Sequence, residues 1–186
     1  MGKGTRYPHV VKQLEKHYKG GTALELGAGG AVYKELFENY IGTDLLISSY
    51  QEDGDLAAFC DARYLPFENN SFDFVFQVAS LFLIPEPERV CQEVSRVLRP
   101  NGKFIIFDYS LKTKKKLRAA YDKNNPDWHI TYWTRKELCS LLTDTGFANA
   151  FPIETKKHWQ IATALFPWIS DHFRPWLMCV GEKGNV

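Results

Sequence analysis

The stretch Thr22-Ala23-Leu24-Glu25-Leu26-Gly27-Ala28-Gly29-Gly30 decides how the rest of the chain is read. TALEL is an apolar run of strand length, and it stops on a cluster of glycines. Upstream, Val10, Leu14 and Tyr18 fall on one helical face opposite Lys12, Glu15, Lys16 and Lys19, which predicts a helix over residues 8–19. Downstream, Val32, Leu36 and Phe37 predict a second helix. Tyr40–Thr43 reads as a strand ending at Asp44, and Leu56–Cys60 as one ending at Asp61. Phe72–Val78 (FDFVFQV) is apolar enough to be buried on both faces, as in a parallel sheet.

The alternation continues to the end of the chain. Residues 87–98 carry Val90, Val94, Val97 and Leu98 at helical spacing, stopped by Arg99-Pro100-Asn101-Gly102. Lys103–Tyr109 (KFIIFDY) is the next strand. Thr134 and Glu137 form a capping box, opening a helix that carries Leu138, Leu141 and Leu142 and ends at Gly146. Two last strands are expected near Asn149–Thr155 and Trp176–Gly181. Strand–helix alternation of this kind predicts an α/β domain with a mostly parallel sheet and helices on both faces.

Composition agrees with one such unit. The 186 residues are 45% hydrophobic and 24% charged, an ordinary globular balance that excludes a disordered or collagen-like chain. No linker-like stretch divides them, so a single domain over 1–186 is expected. With 23 basic and 22 acidic residues the net charge is +1, which argues against nucleic-acid binding through an overall basic field. No apolar run approaches the ~20 residues of a membrane span, and the polar N-terminus lacks a signal-peptide core; a cytoplasmic protein is expected. Cys60, Cys91, Cys139 and Cys179 form no CxxC pair and sit in apolar segments, which reads as four buried thiols in a reducing compartment. No His/Cys/Asp/Glu spacing reads as a metal site.

Ligands of α/β sheets bind at the carboxyl ends of the strands. Four strand ends carry informative residues. Gly27 to Gly30 would let backbone approach a ligand, with N–H groups of a following helix behind it, although a plain tight turn would use the same residues. Asp44, seventeen residues after Gly27, has the acceptor oxygens for a pair of ribose hydroxyls. Asp61 could accept from an adenine amino group. The fourth strand ends near Gln77.

Taken together, ALELGAGG, IGTD, DARYLPFENNSFDFVF and EVSRVLRPNGKFIIFDY resemble the class I S-adenosylmethionine (SAM)-dependent methyltransferases, most closely the branch acting on small molecules. The resemblance is strong over residues 22–110 and looser over the final WLMCVGEK. It implies a doubly wound, Rossmann-like, seven-stranded sheet whose last strand is antiparallel. Residues 1–21 would be an N-terminal helix, 22–110 the cofactor core, and 111–186 the acceptor side with the final strand pair. It further implies that Glu25, Gly27 and Gly29 surround the methionine part and ribose, and that Asp44 holds the ribose hydroxyls. Leu45 would lie on the adenine, Asp61 and the Ala62 N–H would read the adenine edge, and Gln77 would stand near the methionine amino group. The cofactor would be SAM, leaving S-adenosylhomocysteine, and the partner a small-molecule methyl acceptor.

The sequence departs from the family in two places. Many relatives carry a His pair just after the fourth strand, where this chain has Ser80-Leu81-Phe82-Leu83-Ile84. The segment before the first strand is short, leaving Tyr7 and His9 as candidates to cover the cofactor. On the acceptor side, His129 lies among Trp128, Tyr132 and Trp133 and reads either as a base or as a structural residue. Residues 157–175 are rich in aromatics and could cap an apolar acceptor, form a subunit contact or cover the core. Lys112–Arg118 could attract an anionic substrate or form a solvated helix start. No catalytic residue is singled out. A non-catalytic SAM-binding module would share the same cofactor motifs. A nicotinamide-dependent reductase would share the glycine loop, but Val32 stands where its third glycine belongs.

Overall fold

The computed structural model describes residues 6–45, 58–109, 119, 122–124, 129–153 and 176–185. Its centre is a seven-stranded sheet ordered β3-β2-β1-β4-β5-β7-β6. The strands are β1 (Thr22–Leu26), β2 (Asn39–Asp44), β3 (Ala58–Phe59), β4 (Phe72–Val78), β5 (Leu98–Tyr109), β6 (Phe147–Pro152) and β7 (Trp176–Lys183). The first five run parallel, and β7 is antiparallel to both β5 and β6. Strand order reverses between β1 and β4, so the ends of those two strands and of β2 open into one crevice.

Helices α1 (Pro8–His17), α2 (Pro87–Val97) and α3 (Arg135–Asp144) pack on the sheet, and residues 119 and 122–124 are also helical. Pro8 and Pro87 occupy the first turns of α1 and α2, where a missing N–H costs nothing. Helix α3 opens with the expected capping box: Glu137 N–H donates to Thr134 Oγ1 at 3.2 Å, and Thr134 N–H to Glu137 Oε2 at 2.8 Å. Pairing registers place Ala23, Glu25, Phe74 and Phe76 on one sheet face and Leu24, Leu26, Val75 and Gln77 on the other. On the first face Phe37 stacks on Phe76 with ring centroids 5.0 Å apart, and Tyr18 meets Phe37 edge-on at 4.9 Å. Such pairs add about 0.5–1.5 kcal/mol each beyond their buried area. Strand β4 is buried on both faces, as its unbroken apolar run requires.

Several boundaries differ from the sequence expectation. The helix expected around Val32, Leu36 and Phe37 is only a 3₁₀ turn, Lys34–Leu36. Gly27 to Glu38 is twelve residues, barely the minimum crossover between parallel strands, and Gly27, Gly29 and Ala31 all take positive φ. The positive φ at these three positions interrupts helical backbone through the first half of the connection, and only Lys34–Leu36 turns helically. Strand β3 spans two residues rather than Leu56–Cys60, and positions 56 and 57 lie outside the described residues. Strand β5 begins at Leu98 and runs through the Arg99–Gly102 stretch read as a turn, with Asn101 at φ 65°. Strand β6 starts at Phe147, earlier than expected. Of the four thiols, Cys91 and Cys179 are buried, but Cys60 and Cys139 are only half-buried.

Candidate cofactor and acceptor site

The glycine loop and the end of β2 are joined by a direct bond. Gly29 N–H donates to Asp44 Oδ2 at 2.9 Å, and Ala28 N–H donates to the Thr43 carbonyl at 2.9 Å. Asp44 therefore stands at the mouth of the loop. A carboxylate has about four acceptor positions, and the Gly29 N–H occupies one of them. Gly27 has a packing reason to be glycine as well as φ 65°: a Cβ there would meet Ser80 Cβ at 2.6 Å and Oγ at 2.9 Å. The turn after β4 thus lies hard against the loop.

Beneath the loop, Glu25 is buried and accepts from the Tyr40 hydroxyl at 2.5 Å. Burial pushes its carboxyl up to about 8; the Tyr40 bond opposes that shift and the Asp44 charge adds to it. The Glu25 carbonyl accepts from Thr43 Oγ1 at 3.1 Å, tying β1 to β2 a second time. Nothing in the sequence singled out Tyr40 or Thr43. Only register brings Gly42 opposite Glu25 and so sets Tyr40 on the Glu25 face.

The third strand end joins the same crevice, because Cys60 N–H donates to the Asp44 carbonyl at 3.1 Å. Asp61 holds Arg63 through four contacts of 2.6–3.0 Å, one of them to the Arg63 N–H. The Arg63 side-chain bonds are the main reason its carboxyl lies below the usual range. Arg63 in turn reaches Glu86 at 2.9 Å, so Asp61 is oriented before any ligand arrives. An Asp-x-Arg spacing was the available signal for this pair. Leu45 is 65% exposed beside Asp44, and Ala62 packs partly against the core.

Gln77 lies near the end of β4, beside the turn that follows it. Its side chain points into the sheet face shared with Leu26 and is 1% exposed. Its Oε1 accepts from Ser80 N–H at 2.9 Å, Ser80 Oγ at 2.8 Å and Leu81 N–H at 3.1 Å. Gln77 therefore braces the turn after β4 from below, and its Nε2 has no hydrogen-bond partner among the described residues. The period-2 alternation of β4 turns it away from the Glu25 face.

Two segments that the sequence read separately meet beside the end of β4. Thr131 N–H donates to the Phe82 carbonyl at 2.8 Å, bringing 129–133 beside the apolar turn Leu81–Leu83. Trp133 is buried, Phe82 meets Tyr109 edge-on at 5.3 Å, and His129 is exposed with Nε2 3.2 Å from Thr131 Oγ1. Asp108, at the end of β5, is wholly buried, and burial raises its carboxyl well above the usual range. The Phe82 and Tyr109 N–H groups both reach it, so Gln77 and Asp108 brace the same turn. A lone carboxylate in KFIIFDY was the signal for Asp108. On the other rim, Arg6 Nε donates to the Val32 carbonyl at 2.8 Å and Tyr7 N–H to Tyr33 Oη at 3.3 Å, which brings Tyr7 close to the glycine loop. Trp128, Lys112–Arg118 and 157–175 lie outside the described residues. No described helix is long and apolar enough to cross a membrane, and no described cluster of His, Cys, Asp or Glu could hold a metal ion.

Comparisons with known proteins agree with this geometry. A family model described as a methyltransferase domain matches residues 24–106. The sterol 4-C-methyltransferase of Caenorhabditis elegans is 30% identical over 126 residues, covering 66% of this chain and 36% of that protein. This chain thus spans about a third of that relative's length. The tRNA (carboxymethyluridine(34)-5-O)-methyltransferase of Schizosaccharomyces pombe is 26% identical, covering 83% of this chain and 69% of its own. Among solved structures, phosphoethanolamine N-methyltransferase 2 of Haemonchus contortus in complex with SAM superposes with a TM-score of 0.69 at 16% identity. That match covers 95% of this chain and 52% of the other, and it shows the shared fold. The nicotinamide-reductase reading falls here, since the glycine loop and Asp44 sit inside the matched methyltransferase segment. With four motifs in order and the sheet order they require, the segment 24–106 carries the methyltransferase domain of the class I SAM-dependent enzymes, a family whose methyl donor is S-adenosylmethionine.

Proposed function

We propose that this chain transfers a methyl group to a small, partly apolar acceptor by in-line displacement. The Gly29–Asp44 bond is the observation that carries the reading, because it sets a carboxylate over the loop where a ribose diol would be held. Glu25, Gly27 and Gly29 would shape the methionine and ribose end, and Asp44 would take the diol. Leu45 would offer its exposed side chain to the adenine, whose edge Asp61 and the Ala62 N–H would read. Gln77 would act from beneath, holding the Ser80–Leu81 backbone in place. The bound donor supplies a methyl group already activated by a cationic sulfur. The chain's remaining task is to hold acceptor and methyl in line, an effect of roughly 7–11 kcal/mol in well-oriented systems.

The acceptor wall supports an apolar partner. Leu81, Phe82 and Trp133 are buried beside one another's segments, and the sterol methyltransferase relative acts on an apolar molecule. His129 would serve as base only for an acceptor that must lose a proton. Residues 22–110 would form the cofactor part and 111–186 the acceptor part of one cytoplasmic domain. The test is calorimetry with SAM followed by transfer of labelled methyl to a panel of sterols, quinols, phosphoethanolamine and tRNA. Turnover confined to apolar small molecules supports the reading. Turnover on tRNA overturns the acceptor class, and SAM binding with no turnover on any of them favours a non-catalytic module.

A further inference from the structure

Cys139 and Cys179 lie on different elements, yet their sulfurs are only 2.9 Å apart. Cys139 is on α3 and Cys179 in the middle of β7, so the contact crosses from a helix to the sheet beneath it. Their setting is asymmetric. Cys179 is 1% exposed, whereas Cys139 is half-buried and lines a surface groove with Arg135, Lys136, Ser140 and Thr143. One sulfur can therefore meet a soluble oxidant while the other waits behind it. Nothing in the cofactor site uses either residue.

We propose that Cys139 and Cys179 are a redox-modification site, in which a peroxide oxidises the pair to a disulfide that fastens α3 to β7. The Cys139 thiolate attacks one peroxide oxygen and the O–O bond breaks. The other oxygen leaves as hydroxide and takes the thiol proton as water, giving a sulfenic acid on Cys139. The Cys179 sulfur then attacks the Cys139 sulfur. The S–O bond breaks, and hydroxide leaves with the Cys179 proton as a second water. The two thiols lose two electrons, and the peroxide gains them. The sulfurs need only a short approach to reach the ~2.05 Å of a disulfide. Burial holds the Cys179 thiol protonated well above the usual thiol range, which leaves Cys139 as the sulfur that reacts first.

The bridge would close a 40-residue loop that contains β6 and the 157–175 segment. Loop closure of this length should raise Tm by roughly 5–10 °C. The reduced full chain would be treated with hydrogen peroxide at one equivalent, and free thiols then alkylated under denaturing conditions and mapped. The expected result is loss of two alkylation sites, a Cys139–Cys179 peptide pair, and a Tm rise reversed by dithiothreitol. Cys139→Ser should abolish all three, and Cys60→Ser should leave them intact. Four alkylated thiols, a link from Cys91 to Cys179, or Cys139 oxidised without a link would each overturn the proposal.

Discussion

Gly29 and Asp44 are fifteen residues apart in the chain and joined by one hydrogen bond of 2.9 Å, from the backbone of the first to the carboxylate of the second. The bond holds the glycine loop over the end of β2. It ties the conformation of the loop to the side chain that we propose receives a ribose diol.

Replacing Asp44 by alanine removes both roles at once. Affinity for SAM should fall by ~1–3 kcal/mol, roughly 5- to 150-fold, as expected for a polar group that loses a charged partner. Isothermal calorimetry measures this directly. Wild-type affinity in the mutant would place the cofactor elsewhere.

Glu25 makes stability depend on pH. Its carboxyl is raised by burial to about 8, from an ordinary 4.5, so the folded state holds a proton that the unfolded state gives up between those values. The contribution is full below the unfolded pKa and is lost as pH rises through the folded one. Glu25→Gln keeps an acceptor for Tyr40 and removes the titration. Between pH 5 and 8.5 the wild type should lose a few kcal/mol relative to Glu25→Gln. Parallel urea melts would reject the assignment if the two curves kept a constant separation.

Gly27→Ala should destabilise the fold by about 2–4 kcal/mol. Part is the cost of a Cβ at φ 65° and part is collision with Ser80. Adding Ser80→Gly should recover the collision part only. A double-mutant cycle by denaturant unfolding separates them, and strict additivity would mean that the two residues do not press on each other.

Arg63→Met should release Asp61. The carboxyl now held low by Arg63 should titrate at higher pH, so the acid limb of SAM binding should move upward. Calorimetry between pH 4 and 7 reads the limb. An unmoved limb would show that Asp61 takes no part in binding.

That Gly27, Gly29, Asp44 and Asp61 lie at or just beyond strand ends was legible, because strand ends announce themselves locally: an apolar run stops and a turn residue or carboxylate follows. The capping box at Thr134 and Glu137 was legible for the same reason, as its partners are three residues apart. The helix after the glycine loop was misread because periodicity counts apolar positions and does not see the positive φ angles at Gly27, Gly29 and Ala31. The Gln77 bonds to Ser80 and Leu81 were not legible, because they depend on how the turn after β4 folds back over the strand end.

The chain alone determined the succession of the main strands, the glycine and carboxylate residues at their ends, and through them the resemblance to a family. Those features arise from neighbours in sequence, where backbone preference and hydrophobic period act directly. Tertiary structure decided the rest. It set Tyr40 against buried Glu25, Ser80 against Gly27, Thr131 against Phe82 and Cys139 against Cys179. Each of these pairs spans a crossover or a sheet pairing. Their energetics come from burial and register, which exist only once the sheet has closed.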